Sequence, residues 1–425
     1  MSEAINDDEK KEPLAGENPE EYSKTKIIIY YAITVGIVIL VVIIALILAI
    51  KFDDPEVDES GKKNSFTSTY LTEESNKIKL FNSKLNDFIS SMTIDGTKVE
   101  KVVNEYTFEK KGEHKVEVTL SKDLDSFEQL FEDCNNLTQV DLSQLKAGDV
   151  ASMSKMFSKC QLLSSVDLSQ LNTAKVEKMD GLFSGCFSLT SINLQNVKTN
   201  NVDSMENMFS ECLNVKSLDL TEFDTGKVEN MKGMFNRCNS LVQLDLSNID
   251  TSNVKTMSNM FGFCVSLEQL NIANFDTSQV TDMSEMFTSN GFLSSLDLSN
   301  FKTKNVKSMN GMFAGCQGLS ELNLKSFDTS NVEDMGYMFY NDRFTSLNLA
   351  NFDTSNVKSM EAIFGKCINL KSLDISNFSS KKLESKTDMF LDVPENGTLT
   401  YNPEYFGEDN LKGTNVENWD LLKSK

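Results

Sequence analysis

The sequence predicts an α/β solenoid: a right-handed, leucine-rich-repeat-like coil of about ten 26-residue repeats, with N- and C-terminal caps and one transmembrane helix before it. Three observations predict it. A Met-Phe pair or its equivalent recurs every 26 residues, at Leu130-Phe131, Met156-Phe157, Leu182-Phe183, Met208-Phe209, Met234-Phe235, Met260-Phe261, Met286-Phe287, Met312-Phe313 and Met338-Phe339. After one missing residue near Asp342 it continues at Ile363-Phe364 and Met389-Phe390. Within each unit the apolar period switches, from LxxLxL at Leu293, Leu296 and Leu298 to an i, i+3, i+6, i+7 spacing at Val280, Met283, Met286 and Phe287. Finally, Ile27 to Ile50 passes 24 residues without a charge.

That run, as a helix rising about 1.5 Å per residue, spans roughly 36 Å and can cross a hydrocarbon core of about 30 Å. Tyr30 and Tyr31 suit the headgroup level. A cleavable signal peptide would have a shorter apolar core closed by an A-x-A site, and neither is present. Lys10, Lys11, Lys24 and Lys26 precede the run, against Lys51, Lys62 and Lys63 after it. This small excess places residues 1–26, an acidic tail expected to be disordered, inside the cytoplasm and the rest outside. Residues 51–72, with Asp53, Asp54, Glu56, Asp58 and Glu59, read as a stalk linker.

In each repeat LxxLxL reads as a short strand with one buried face, and Val280, Met283, Met286 and Phe287 read as one side of a helical turn. Thr277 or Ser278 of FDTS stands where it could cap that turn. One unit cannot bury its own apolar residues, but stacked units can, on a parallel ladder of about 4.8 Å per coil. The solenoid is expected over 125–390. A capping module is expected over 73–124, where Leu80, Phe81, Leu85, Phe88, Ile89 and Met92 fit one face of a helix. Thr93 to Leu120 reads as short strands punctuated at Asp95-Gly96 and Lys111-Gly112. In a C-terminal cap over 391–425, Thr398 to Tyr401 could add a last strand and Trp419 could cover the final coil.

The unit MFxxCxxLxxLDLSNFDTSNVxxM, as between Met260 and Met283, resembles the BspA-like leucine-rich repeat surface proteins of bacteria and anaerobic protists. Phe301, Phe327 and Phe352 depart from the general leucine-rich pattern, which has Asn there. The resemblance implies a horseshoe or rod on a cell surface, used in adhesion. It implies no particular ligand.

Composition narrows the chemistry. With 63 acidic against 41 basic residues the net charge is −22, and the two arginines, Arg237 and Arg343, stand far apart in sequence, which argues against nucleic acid. The single histidine, His114, falls in the strand-like EHKVEV stretch and reads as a surface residue. A Ser/His or Cys/His pair and a multi-histidine zinc site therefore have no basis, and no enzyme activity or cofactor is expected. All eight cysteines share one column: Cys134, Cys160, Cys186, Cys212, Cys238, Cys264, Cys316 and Cys367. A disulfide ladder between neighbouring coils is conceivable outside the cell. Reduced, buried thiols suit the spacing better, because Asn290 and Asp342 interrupt the column. Met153, Met179, Met205, Met231, Met257, Met283, Met309, Met335 and Met360 form a second column, read as core.

The middle position of each strand is acidic or amidic: Asp141, Asp167, Asn193, Asp219, Asp245, Asn271, Asp297, Asn323, Asn348 and Asp374. This row is the candidate binding face. A solvated hydrogen-bonded ladder fits it better than a calcium site, since Ser, Thr and Gln flank it, as at Ser165, Ser191, Ser217, Gln243, Gln269 and Ser295. It offers no aromatic or Arg anchor, so a glycan or a weakly held extracellular protein is the ligand it suits. Sequons occur at Asn136, Asn377 and Asn396, of which Asn136 lies beside the buried column. The expected function is a membrane-anchored cell-surface scaffold for adhesion or ligand binding; the alternative is a passive spacer of the cell envelope.

Overall fold

A computed structural model describes residues 64–424. The expected tail (1–26) and membrane span (27–50), with residues 51–63 of the linker, lie outside the described residues. Among the described residues no helix is long and apolar enough to cross a membrane.

The first strand, β1 (Ser65–Thr72), starts ahead of the boundary expected at residue 73. Its alternation buries Phe66, Ser68, Tyr70 and Thr72. After β2 (Asn76–Lys79), the helix expected over Leu80 to Met92 is replaced by a short 3-10 helix, Ser83–Phe88, capped by Asn82 accepting from the Lys84 N–H, and by strand β3 (Ile89–Ile94). Ile89, Thr93 and Ile94 are β-branched, and strand pairing claims them. β3 turns at Asp95-Gly96 into β4 (Thr97–Lys98); β5 (Glu105–Phe108) and β6 (Gly112–Leu120) follow. The sheet order is β4-β3-β6-β1-β7, where β7 (Leu137–Asp141) belongs to the first coil, so the cap is continuous with the solenoid. Phe66 meets Phe131, the first ring of the core stack, edge to face at 5.5 Å.

From there the chain is a β-solenoid of about ten turns of 26 residues with almost no helix. Short strands β8 (Ser165–Asp167), β9 (Ser191–Asn193), β10 (Gln243–Asp245), β11 (Gln269–Asn271), β12 (Ser346–Asn348) and β13 (Ser372–Ile375) mark one face. They pair in parallel and in register, Gln243 opposite Gln269 and Asp245 opposite Asn271. β14 (Thr398–Tyr401) and β15 (Asp420–Lys423) extend the ladder past the last repeat. Trp419 lies buried there with its indole N–H on the Pro394 carbonyl, above Gly397, where any Cβ would stand 2.8 Å from the indole ring.

The helical turn expected at Val280, Met283, Met286 and Phe287 does not form, and the α/β description gives way to an all-β one. The hydrogen bonds show why. Met257, Asn259, Phe261 and Phe263 donate backbone N–H groups to the next coil, on Asp282, Ser284, Met286 and Thr288, while Met260, Gly262 and Cys264 donate three residues back. Half of the donors thus leave the coil, and no i to i−4 series can start. Two left-handed residues per coil enforce the winding, as at Glu285 (φ 56°) and Ser289 (φ 61°). The same positions hold glycine at Gly181, Gly185, Gly311 and Gly315, a signal within the sequence that helical spacing obscured.

The core is a set of columns. The rings from Phe131 through Phe390 stack coil upon coil, with centroids 5.5 to 6.0 Å apart and near-parallel planes, as aromatic quadrupoles allow when offset. The methionine column is fully buried beside it. Threonine of FDTS does not cap its own turn. Thr277 is buried and staples two coils, its hydroxyl accepting from the Lys302 N–H at 2.8 Å and donating to the Lys302 carbonyl at 3.1 Å; Thr251, Thr303 and Thr354 repeat this.

The cysteine column also crosslinks coils, without sulfur–sulfur bonds. All eight thiols are free and buried. Most donate to a Phe carbonyl in the preceding coil: Cys160 to Phe131 at 3.1 Å, Cys264 to Phe235 at 3.0 Å, Cys316 to Phe287 at 3.0 Å. Burial pushes their pKa up, to about 12 for Cys264 and Cys367, so they are neutral donors and not nucleophiles. Asn290 supplies the same donor through its amide, 2.9 Å from the Phe261 carbonyl. Asp342 is the exception: 1% exposed, with no partner on either oxygen and its pKa driven well up by burial. Its coil is also one residue short, and Phe344 occupies the place of Leu319, edge-on to Phe339 at 6.3 Å.

Candidate functional site

Stacking brings all ten residues of the candidate row onto one face. Six of them close their strands, as in β8, where the central Val166 points inward and Asp167 is the last residue; Asp374 is third of four in β13, and Asp219, Asp297 and Asn323 lie outside the named strands. Every member of the row makes the same bond. A side-chain oxygen accepts the backbone N–H two residues on: Asp141 from Ser143, Asp167 from Ser169, Asn193 from Gln195, Asp219 from Thr221 and Asp245 from Ser247. Asn271 does so from Ala273, Asp297 from Ser299, Asn323 from Lys325, Asn348 from Ala350 and Asp374 from Ser376, all within 2.8 to 3.3 Å across the row. The row is thus a column of Asx turns that bend the chain out of each strand. These bonds hold the Asp219, Asp245 and Asp297 carboxyls below the usual range, with a slight opposing push from burial. Each carboxylate spends one oxygen on its turn and keeps the other for solvent or a ligand. Asn271 also donates across to Asp245 at 2.9 Å.

Between these turns and the strand residues run two open troughs. One, of about 790 Å³, includes Ser165, Asp167, Ser191, Asn193, Gln195 and Asp219 in its lining. The other, of about 560 Å³, includes Ser217, Gln243, Asp245, Gln269, Asn271 and Ser295. Hydroxyls, amides and carboxylates repeat along both, with apolar Val166, Ile192, Leu244 and Leu270 between them. Such a surface can hydrogen-bond a polyhydroxylated chain at a regular spacing. Among the described residues no group of three or more His, Cys, Asp or Glu is placed to hold a metal ion.

His114 is a correction: it is buried, not on the surface. Its Nδ1 meets Asp95 at 2.7 Å, its Nε2 meets the Lys110 carbonyl at 2.8 Å, and its ring stacks on Phe108 at 4.0 Å. Both nitrogens face acceptors, so the ring locks the hairpin tip of the N-terminal cap. Sequence pattern had no means of finding this, because Asp95 and Lys110 reach His114 only through sheet pairing. Of the sequons, Asn377 and Asn396 are exposed, whereas the Asn136 amide donates to the Leu71 carbonyl at 2.8 Å and ties the first coil to β1.

Among curated proteins none matches the chain. One solved structure that matches is described as "Structure of the Toll - Spatzle complex, a molecular hub in Drosophila development and innate immunity", at 12% identity and a TM-score of 0.24. The match covers 66% of this chain and 44% of that one, so the chain spans less than half of that protein's length. A repeat family matches in four overlapping stretches, residues 97–218, 125–243, 204–322 and 317–396. These stretches follow the solenoid from the N-terminal cap to the last coil, and the chain belongs to the family described as "Mycoplasma protein of unknown function, DUF285".

Proposed function

We propose that the protein is a membrane-anchored surface scaffold of BspA-like type, held by a transmembrane helix over Ile27 to Ile50, and that its strand face binds an extracellular glycan or protein in adhesion. The observation that carries this reading is the pair of polar troughs, in which the same donors and acceptors recur coil after coil. Multivalent, individually weak contacts along such a repeat add up to useful avidity. The protein acts without catalysis or cofactor on this reading, and Asn377 and Asn396 are its candidate glycosylation sites. Full-length chain in detergent, screened on glycan and matrix-protein arrays, should bind reproducibly, and Asp167→Ala with Asp245→Ala should weaken that binding. Protease added to intact cells should remove a C-terminal tag and spare an N-terminal one; the reverse pattern rejects the orientation. One observation favours the spacer reading: all ten Asp and Asn side chains of the row already serve their own turns. Silence across the arrays would select it.

A further inference from the structure

We infer that the edge of the solenoid flanking the cysteine column, from Arg237 to Ile368, docks an extended acidic peptide segment that carries apolar side chains and belongs to a partner protein. This edge is separate from the strand face. The inference rests on the scaffold reading only in giving the chain a partner, and not on where the chain is anchored.

Stacking decides what the sequence separates. The residue before each cysteine position is held in register by a backbone bond to the next coil, Arg237 to Gly262 at 2.8 Å, Ser289 to Ala314 at 2.7 Å and Asn341 to Gly365 at 2.8 Å. Arg237 and Arg343 therefore lie on one edge, four coils apart. At about 4.8 Å per coil that is roughly 19 Å, the reach of about six extended residues. Between and beside them three large apolar side chains face solvent: Val265 is 41% exposed, Phe292 67% and Ile368 61%. A trough of about 450 Å³ runs from Val265 past Phe292 to Arg343, where Ser289, Gly291 and Gly315 leave room, and Arg237 and Ile368 flank it on the coils beyond.

Charge selects the occupant. The chain carries a net −22, and some lysines on its other rows are paired, Lys255 with Glu229, Lys302 with Asp276, Lys358 with Glu333. Among the described residues, Arg237, Arg343 and Lys366 enter no ion pair. Arg237 lies over the Phe263 ring at 4.7 Å and Lys366 over the Tyr340 ring at 5.4 Å. A guanidinium held over a ring face uses that face for the cation–π contact and leaves the N–H groups at its own edge available to a carboxylate. The positions immediately before and after the cysteine column hold no carboxylate from Arg237 to Ile368; Glu211 and Asp392 bound the strip in the adjoining coils. Asp342 lies beneath it, buried. Arginine and aromatic side chains around an apolar trough are the groups that dominate protein interfaces, and the net negative charge of the chain disfavours an acidic peptide where carboxylates flank the lysines.

The test is a display library of short random peptides selected against the full-length chain in detergent, with Arg237→Glu/Arg343→Glu/Phe292→Ser and Asp167→Ala/Asp245→Ala as parallel targets. All five positions are exposed, so melting curves close to the parent's will confirm that the variants fold. Enriched peptides should be net acidic with interspersed apolar residues, and the edge variant should bind them at least about 10-fold more weakly, while the strand-face variant binds them unchanged. No enrichment, enrichment of neutral or basic peptides, or unchanged binding by the edge variant overturns the inference. So does sedimentation showing that the edge variant abolishes self-association, or vesicle flotation showing that it abolishes binding to anionic lipid, since the occupant would then be a second copy or a membrane. Glycan binding that persists while peptides fail would leave the scaffold reading standing and remove this one.

Discussion

The coils from Cys160 to Cys264 and the coil of Asp342 solve one packing problem in different ways. In the first group a thiol fills a site too small for Leu and points a weak donor at a Phe carbonyl one coil back. In the second, a carboxyl stands at that site, in a coil shortened by one residue, and the corresponding carbonyl is that of Phe313. A protonated carboxyl can donate to it; a carboxylate cannot. Between the two, Asn290 shows that the column requires a small side chain with a donor and does not require sulfur. The array is therefore regular except at the Asp342 coil, and that irregular coil carries a titratable group in its core.

The largest effect should come from breaking the regular region. Phe261 is sandwiched between Phe235 and Phe287 at 5.8 and 5.7 Å, and Phe261→Ala should cost about 3 to 5 kcal/mol in chemical denaturation, spreading through both neighbouring coils. Asp297→Ala, on the strand face, should cost far less; equal losses would mean that the stack is not the core. Next comes the irregular coil. Asp342 has a folded pKa raised above its unfolded value of about 3.9, so its contribution is intact below about pH 4 and declines as pH rises towards the folded pKa, by up to about 1.4 kcal/mol per pH unit. Asp342→Asn, which keeps a donor, should melt like the parent near pH 4 and clearly above it at pH 7. Parallel melting curves for the two proteins would show that the carboxyl is not strained by ionisation.

Smaller effects sharpen the comparison. Cys264→Ala should cost about 1 kcal/mol, from the lost sulfur contacts and hydrogen bond, and Cys264→Ser should recover part of it; if Ser is the worse of the two, the donor role is wrong. Smallest of all, Lys155→Gly should be close to neutral. Lys155 has φ 57°, where glycine is unstrained, whereas in a helix the same change would cost about 1 kcal/mol. A loss of that size in thermal unfolding would reinstate the helical turn.

The repeat, its period, its buried columns and the shortened unit near Asp342 are all properties of the sequence, because stacking identical coils makes each position either inside or outside along the whole array. So is the row of Asp and Asn on one face, as at Asp167 and Asp245. The tertiary structure decided where the hydrogen bonds go. Spacing at Val280, Met283, Met286 and Phe287 fits a helix and a tight left-handed-residue turn equally, since both bring every third or fourth residue to one side. What separates them is the destination of each backbone N–H, here the next coil, about 26 residues away in sequence. The same holds for the Thr277 hydroxyl, which bonds to Lys302 and not to its own turn, and for His114, which sheet pairing encloses. Arg237 and Arg343 are remote in the chain but share one edge, because a solenoid converts each period into a single rise of about 4.8 Å.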